Sequence, residues 1–157
     1  MGQCKITEVK SGNLLLNGDG ESGANAWSGT GPIEALSSGE CQSAHNGSHL
    51  LAVGGICSNE TSLGQVYQSI DLSAYQASIN SGSAKSELKG WLRNYNGKDI
   101  PSIWVDFFIL QGDKISQSSV LQHQTSTWTE VLQTLDIAVN TAYANFIFTR
   151  TEKIRKR

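Results

Sequence analysis

Apolar residues recur at every second position through most of this chain, and clusters of Gly, Asn and Ser break the alternation at short intervals. Val66, Gln68 and Ile70 alternate with Tyr67 and Ser69; Leu88, Gly90 and Leu92 alternate with Lys89, Trp91 and Arg93, and that run ends at Asn96-Gly97. After Pro101, Ile103, Val105, Phe107 and Ile109 share one face of a strand while Trp104, Asp106 and Phe108 share the other, up to Gln111-Gly112-Asp113. Leu14-Leu15-Leu16 stops at Asn17-Gly18-Asp19-Gly20, Leu50 to Val53 stops at Gly54-Gly55, and two more strand-like runs cover 128–137 and 143–148. A period of two puts successive side chains on opposite faces of an extended chain, so these segments predict strands. One segment differs: Ser73-Ala74-Tyr75-Gln76-Ala77-Ser78-Ile79-Asn80 has a Ser cap, good helix formers and a stop at Ser81-Gly82. The pattern predicts an all-β sandwich or barrel with one short helical turn.

Only 17% of the residues are charged, too few for the solvated faces of a helical bundle. No repeat and no linker interrupts the 157 residues, so the chain is expected to form a single domain. Its net charge of −2 hides an acidic body, with 7 Lys/Arg against 13 Asp/Glu in residues 1–149, and a basic tail over 150–157. The summed charge argues against a general nucleic-acid binder, which would show a basic field. No apolar run approaches the roughly 18 residues of a membrane span, so no membrane partner is expected. Met1-Gly2-Gln3-Cys4-Lys5 has no secretory core, and Ile6 breaks the myristoylation pattern.

The three cysteines, Cys4, Cys41 and Cys57, contain no C-x-x-C spacing, which argues against zinc or redox chemistry. Isolated thiols are the expectation; a bond between Cys41 and Cys57, which flank a predicted strand, is the alternative. Gly18-Asp19-Gly20-Glu21-Ser22-Gly23 fits a dinucleotide-loop pattern, but the Gly- and Pro-bearing stretch after it, ending Gly31-Pro32, cannot make the helix that would receive a pyrophosphate. His45 and His49 are four apart across Asn46-Gly47-Ser48, where a turn rather than a helix is predicted, so they do not form a metal pair. No nucleophile motif is present and the carboxylates are scattered, so the chain is not expected to be an enzyme.

The run from Leu88 to Tyr95 is more informative. If Leu88, Gly90 and Leu92 face inward, then Trp91, Arg93 and Tyr95 share the other face. Flat rings beside cations suit sugars, whose C–H faces stack on aromatics while polar groups take the hydroxyls. The same row also suits the buried face of a sandwich, and both readings stay open here. The sugar reading gives Trp91, Arg93, Tyr95, Asn96 and Asp99 as ligand-binding residues, with the 94–99 loop at the end of the row.

Longer stretches resemble a known family. Asn13-Leu14-Leu15-Leu16-Asn17-Gly18-Asp19-Gly20-Glu21-Ser22-Gly23 followed by Trp27 resembles the opening of jelly-roll carbohydrate-binding modules, and is similar to that of F-box-associated sugar-binding domains. Gly47 to Ala52 is similar to the family's next strand. Gln65-Val66-Tyr67-Gln68-Ser69-Ile70-Asp71-Leu72-Ser73-Ala74-Tyr75, continuing to Leu88-Lys89-Gly90-Trp91-Leu92 and Val105 to Gly112, resembles bacterial galactose-binding-like domains. The resemblance spans about residues 12–150. It implies a two-sheet antiparallel jelly-roll β-sandwich and a non-catalytic module that recognises a glycan or glycoprotein. The alternative is a structural or protein-interaction domain on the same sandwich without a sugar site. An extracellular or periplasmic location is implied as well.

Some members of that family carry a structural Ca²⁺ between the opening loop and a carboxylate near the last strand. The resemblance therefore implies a calcium site at Asp19 and Glu21, hard oxygen ligands in a Gly-rich loop. The family's Asp-containing last strand has no counterpart here, where Thr149-Arg150 is followed by Thr151 to Arg157 and Glu152 is the one carboxylate. The expectation is then an open sheet edge, filled by residues 1–10, by a second chain in an oligomer, or guarded by the basic tail.

Overall fold

The computed structural model describes residues 11–54, 63–95 and 99–152. It is an antiparallel β-sandwich. The first layer is built from β1 (Ser28–Thr30), β4 (Leu63–Asp71), β6 (Asp99–Phe108), β7 (Lys114–Gln117), β8 (Leu121–Gln122) and β10 (Tyr143–Glu152). Its strand order is β1-β4-β10-β6-β7, with β8 also on β6. Two strand pairs complete the architecture: β2 (Ile33–Ser37) with β3 (His49–Val53), and β5 (Lys85–Leu92) with β9 (Thr129–Asp136).

The period-two pattern decides which side of each strand is covered. Leu88 and Leu92 of β5 pack against Ile103, Val105 and Phe107 of β6 and against Ala144 and Phe146 of β10, and all seven are buried. Gly90 lies on the same inward side as Leu88 and Leu92. A Cβ there would sit 2.9 Å from the Ile103 side chain, so the close approach of β5 to the large sheet depends on the missing side chain. A smaller cluster of Leu36, Leu50 and Ala52 lies under β2 and β3, with Ala44, Tyr95 and Trp128 packed on it.

Between β4 and β5 the chain makes a 3₁₀ turn at Ser73–Tyr75 that runs into the helix α1 (Gln76–Asn80). Ser73 is not the cap: Leu72 holds that position without a side-chain hydrogen bond, and the Ser73 backbone N–H donates to Asp71 Oδ1 at 2.8 Å. Ile79 is fully buried and pins the helix to the core.

Two expectations are corrected. Leu14 to Leu16 do not form a strand; Leu16 is held by the Gln68 side chain, whose amide accepts from the Leu16 N–H at 2.7 Å and donates to its carbonyl at 2.8 Å. The predicted run at 143–148 becomes β10, which lies in the middle of the large sheet, paired with β4 from Tyr143 to Thr151 and with β6 from Tyr143 to Glu152. Cys41 is disulfide-bonded rather than an isolated thiol, and its partner lies outside the described residues, as do residues 1–10.

Candidate functional site

The outward face of the large sheet is organised by register. Residues directly opposite one another in a sheet share a face, so the pairings of β4, β10 and β6 generate rows that run across the strands. Tyr67, Ile147 and Trp104 make the first row; Ser69, Asn145 and Asp106 the second; Asp71, Tyr143 and Phe108 the third. β7 extends the second row with Gln117 and the third with Lys114. A polar row thus runs between two aromatic ones.

The rings are partly open. Tyr67 is 40% exposed, and Trp104, Phe108 and Tyr143 are half-buried. Ile147 is buried although it points away from the core, as expected for a smaller residue flanked by two large rings. Phe108 and Tyr143 stack with centroids 4.9 Å apart and planes 5° from parallel. In the polar row, Asp106 Oδ1 and Asn145 Oδ1 are buried acceptors with no hydrogen-bond donor among the described residues, and Lys114 Nζ lies 3.7 Å from Asp106. Buried acceptors of this kind are rare, and each is an acceptor open to a donor such as a hydroxyl. A cleft of about 630 Å³ adjoins the face where β1 ends, lined by Leu14, Leu16, Ser28, Tyr67, Ser69 and Asp71.

The residues expected to bind ligand are not together on that face. Trp91 is on the outer side of β5, in the other layer, and is 42% exposed. Tyr95 is half-buried and packs on the Leu36–Leu50–Ala52 cluster. Asp99 is turned inward: its Oδ1 accepts from the Tyr95 N–H at 2.8 Å, and its Oδ2 lies 3.2 Å from Arg150 Nε, both side chains being only 7% exposed. Arg150 also donates to the Gly54 carbonyl at 3.3 Å. Arg93 is partly buried, and Asn96 lies outside the described residues. The signal for the large-sheet face was present in the alternation of Trp104, Asp106 and Phe108. Sequence reasoning passed over it because a strand whose two faces are both apolar in part gives no sign of which one is covered.

The opening loop does not suit a cation. Glu21 accepts from the Ser48 N–H and the His49 N–H, each at 2.7 Å, and from the Ser48 hydroxyl at 2.5 Å. His49 Nδ1 lies 3.0 Å from the same carboxylate. These donors hold the Glu21 pKa down at about 2, the Ser48 hydroxyl contributing most. A carboxylate surrounded by N–H and O–H donors has its lone pairs occupied, the reverse of what calcium requires. Asp19 Oδ1 accepts the Glu21 N–H at 3.2 Å and so braces the turn. Gly47, at φ +70°, leaves room for this lock: any Cβ there would run into the Glu21 carboxylate. Among the described residues no group of three or more His, Cys, Asp or Glu side chains could hold a metal. His45 and His49, four apart, go to different partners, His45 to the Trp91 ring and His49 to Glu21.

No protein-family profile and no curated protein sequence matches the chain. Solved structures do. A family 16 carbohydrate-binding module is similar at TM-score 0.61 and 18% identity, over 89% of each chain. The family 61 module TmCBM61, solved in complex with β-1,4-galactotriose, gives 0.53 and 14%, over 90% of this chain and 88% of that one. The CBM22-2 xylan-binding domain of Paenibacillus barcinonensis Xyn10C gives 0.52 and 10%, over 88% and 84%. One further match, at 0.60 and 16%, is the enzymatically active domain of bacteriophage CBA120 tailspike protein 4, of which this chain spans 20%. The chain shares the jelly-roll β-sandwich fold of these carbohydrate-binding modules.

Proposed function

We propose that this protein is a non-catalytic glycan-binding module whose ligand lies along the outer face of the large sheet. The observation that carries the reading is the set of three cross-strand rows, aromatic, polar and aromatic, on β4, β10 and β6. A pyranose offers C–H faces to rings such as Tyr67 and Trp104, and its hydroxyls are donors for acceptors such as Asp106 and Asn145. Successive rows are two residues apart along the strands, about 6.7 Å, which is within reach of one extended oligosaccharide. Asp106 sits in its row with Ser69, Asn145 and Gln117 rather than opposite a second carboxylate, which suits binding better than acid–base hydrolysis. The xylan and β-1,4-galactotriose named for two solved structures of this fold point to the first ligands to try. A compartment outside the cytosol goes with this reading and is supported by the disulfide at Cys41.

Affinity electrophoresis through gels containing xylan or β-1,4-galactan is the test. The unmodified protein is expected to be retarded by at least one of them, and Tyr67→Ala or Trp104→Ala to lose most of that retardation with the fold intact by circular dichroism. Retardation that survives both changes would move the site elsewhere. A protein retarded by no glycan across a broad panel would return the fold to a structural or protein-interaction role.

A further inference from the structure

A second aromatic site lies on the opposite layer, and it is already filled by a side chain of this protein. Trp91 projects from the outer side of β5, away from the core on which Leu88 and Leu92 pack. One face of its indole is covered by the His45 imidazole, with centroids 3.8 Å apart and planes 19° from parallel. His45 also meets Trp128 edge to face at 6.0 Å and 71°. Trp128 in turn is fixed, its indole N–H donating to the Ser43 carbonyl at 2.9 Å.

The loop carrying His45 is tied on both sides of that residue. Cys41 is disulfide-bonded, the Ala44 N–H donates to Ser38 Oγ at 3.0 Å, and Ser48 is locked to Glu21. His45 itself is exposed and, among the described residues, makes ring contacts and no side-chain hydrogen bond. Ring stacking in water with no hydrogen bond behind it is a weak hold. Polar groups surround the stack. Glu130 is directly opposite Trp91 across the β5–β9 pair and is 3.3 Å from Lys89 Nζ. Arg93, two residues on, has a buried Nε with no hydrogen-bond partner among the described residues.

We infer that Trp91 is a second glycan-stacking site, that His45 is its exchangeable cover, and that a pyranose ring displaces the imidazole. The imidazole is a flat ring lying parallel to the indole at van der Waals distance, which is the position a sugar ring takes on an aromatic platform. Arg93, Lys89 and Glu130 then offer donors and an acceptor to the hydroxyls at its edge. This inference rests on the glycan-binding reading above, since it assigns the same class of ligand. The two sites face away from each other through the sandwich, so one protein engages two glycan segments rather than one.

The test is a nuclear magnetic resonance titration that follows the indole N–H signals, assigned with single Trp→Phe variants, as xylohexaose or β-1,4-galactotriose is added. Both the Trp104 and the Trp91 signals are expected to move, the latter also in a Tyr67→Ala background. His45→Ala is expected to tighten binding at Trp91 by about threefold or more, the worth of one aromatic stacking contact. Movement at Trp104 with Trp91 still in both the unmodified protein and His45→Ala overturns the second site and leaves the first. Trp91 shifts that vanish in Tyr67→Ala also overturn it, because they would report the first site at a distance. Movement at Trp91 alone supports the second site and removes the first from the large sheet. Movement at neither ring with either sugar overturns both.

Discussion

Glu21 ties the opening loop to the start of β3 through contacts that only the ionised carboxylate can accept. Its pKa falls from the ordinary 4.5 to about 2, so the folded state binds this proton more weakly than the unfolded chain does. The contribution is fully present above pH 4.5 and is lost as the pH drops towards 2. Melting temperatures measured from pH 6 to pH 2 should therefore decline more steeply for the unmodified protein than for Glu21→Gln. Parallel curves would mean that the lock adds nothing to stability. The same contacts predict that millimolar calcium, compared with a chelator, leaves the melting temperature unchanged, because no lone pair of Glu21 is waiting for a cation. A rise of several degrees on adding calcium would show that the loop rearranges to take one. Glu21 was singled out in the sequence through its place in the opening motif. Its partners were not, because Ser48 and His49 lie 27 and 28 residues further on and nothing local connects them.

At the level of elements, β10 and β6 form the spine of the large sheet, and a buried ion pair holds their ends. Asp99 opens β6, Arg150 is near the end of β10, and their side chains meet at 3.2 Å with little exposure. Removing one partner of such a pair strands the other charge, at a cost of about 3–5 kcal/mol. Asp99→Ala should therefore lower the denaturation midpoint sharply, whereas a substitution at a ligand-contacting surface residue would change binding and leave the midpoint near its original value. An Asp99→Ala protein with full stability and no glycan binding would restore Asp99 to the ligand surface, where the sequence reading put it. Strands were legible in the chain wherever the alternation was long: β4, β5, β6, β9 and β10 all lie under predicted runs. The short strands β1, β2, β7 and β8 have 3, 5, 4 and 2 residues, too few to show a period. Leu14 to Leu16 erred in the other direction. Their apolar run looked like a strand, but their backbone is met by the amide of Gln68 rather than by a ladder.

For the molecule as a whole, two layers meet over one main core, and the disulfide at Cys41 anchors the loop that crosses from β2 to β3. Reducing that bond should lower the melting temperature, by an amount corresponding to about 2–4 kcal/mol, and differential scanning calorimetry with and without a phosphine reductant reads it directly. An unchanged transition would show that the bond restrains a loop already held by Trp128 and Ser48. The sequence by itself determined the fold class, because a period of two cannot be satisfied by a helix, and it determined which residues of each long strand share a side. It also resembled the right fold family, through the Gln65–Tyr75 and Leu88–Leu92 stretches. Only the tertiary structure decided which sides face water and which strands become neighbours. Ladder hydrogen bonds join backbone to backbone and carry no residue identity, so nothing local announces that β10 inserts between β4 and β6. That insertion sets Trp104, Asn145 and Tyr67 on one surface, while the packing of β2 and β3 covers Tyr95 and leaves Trp91 on the outer side with His45 stacked on one face.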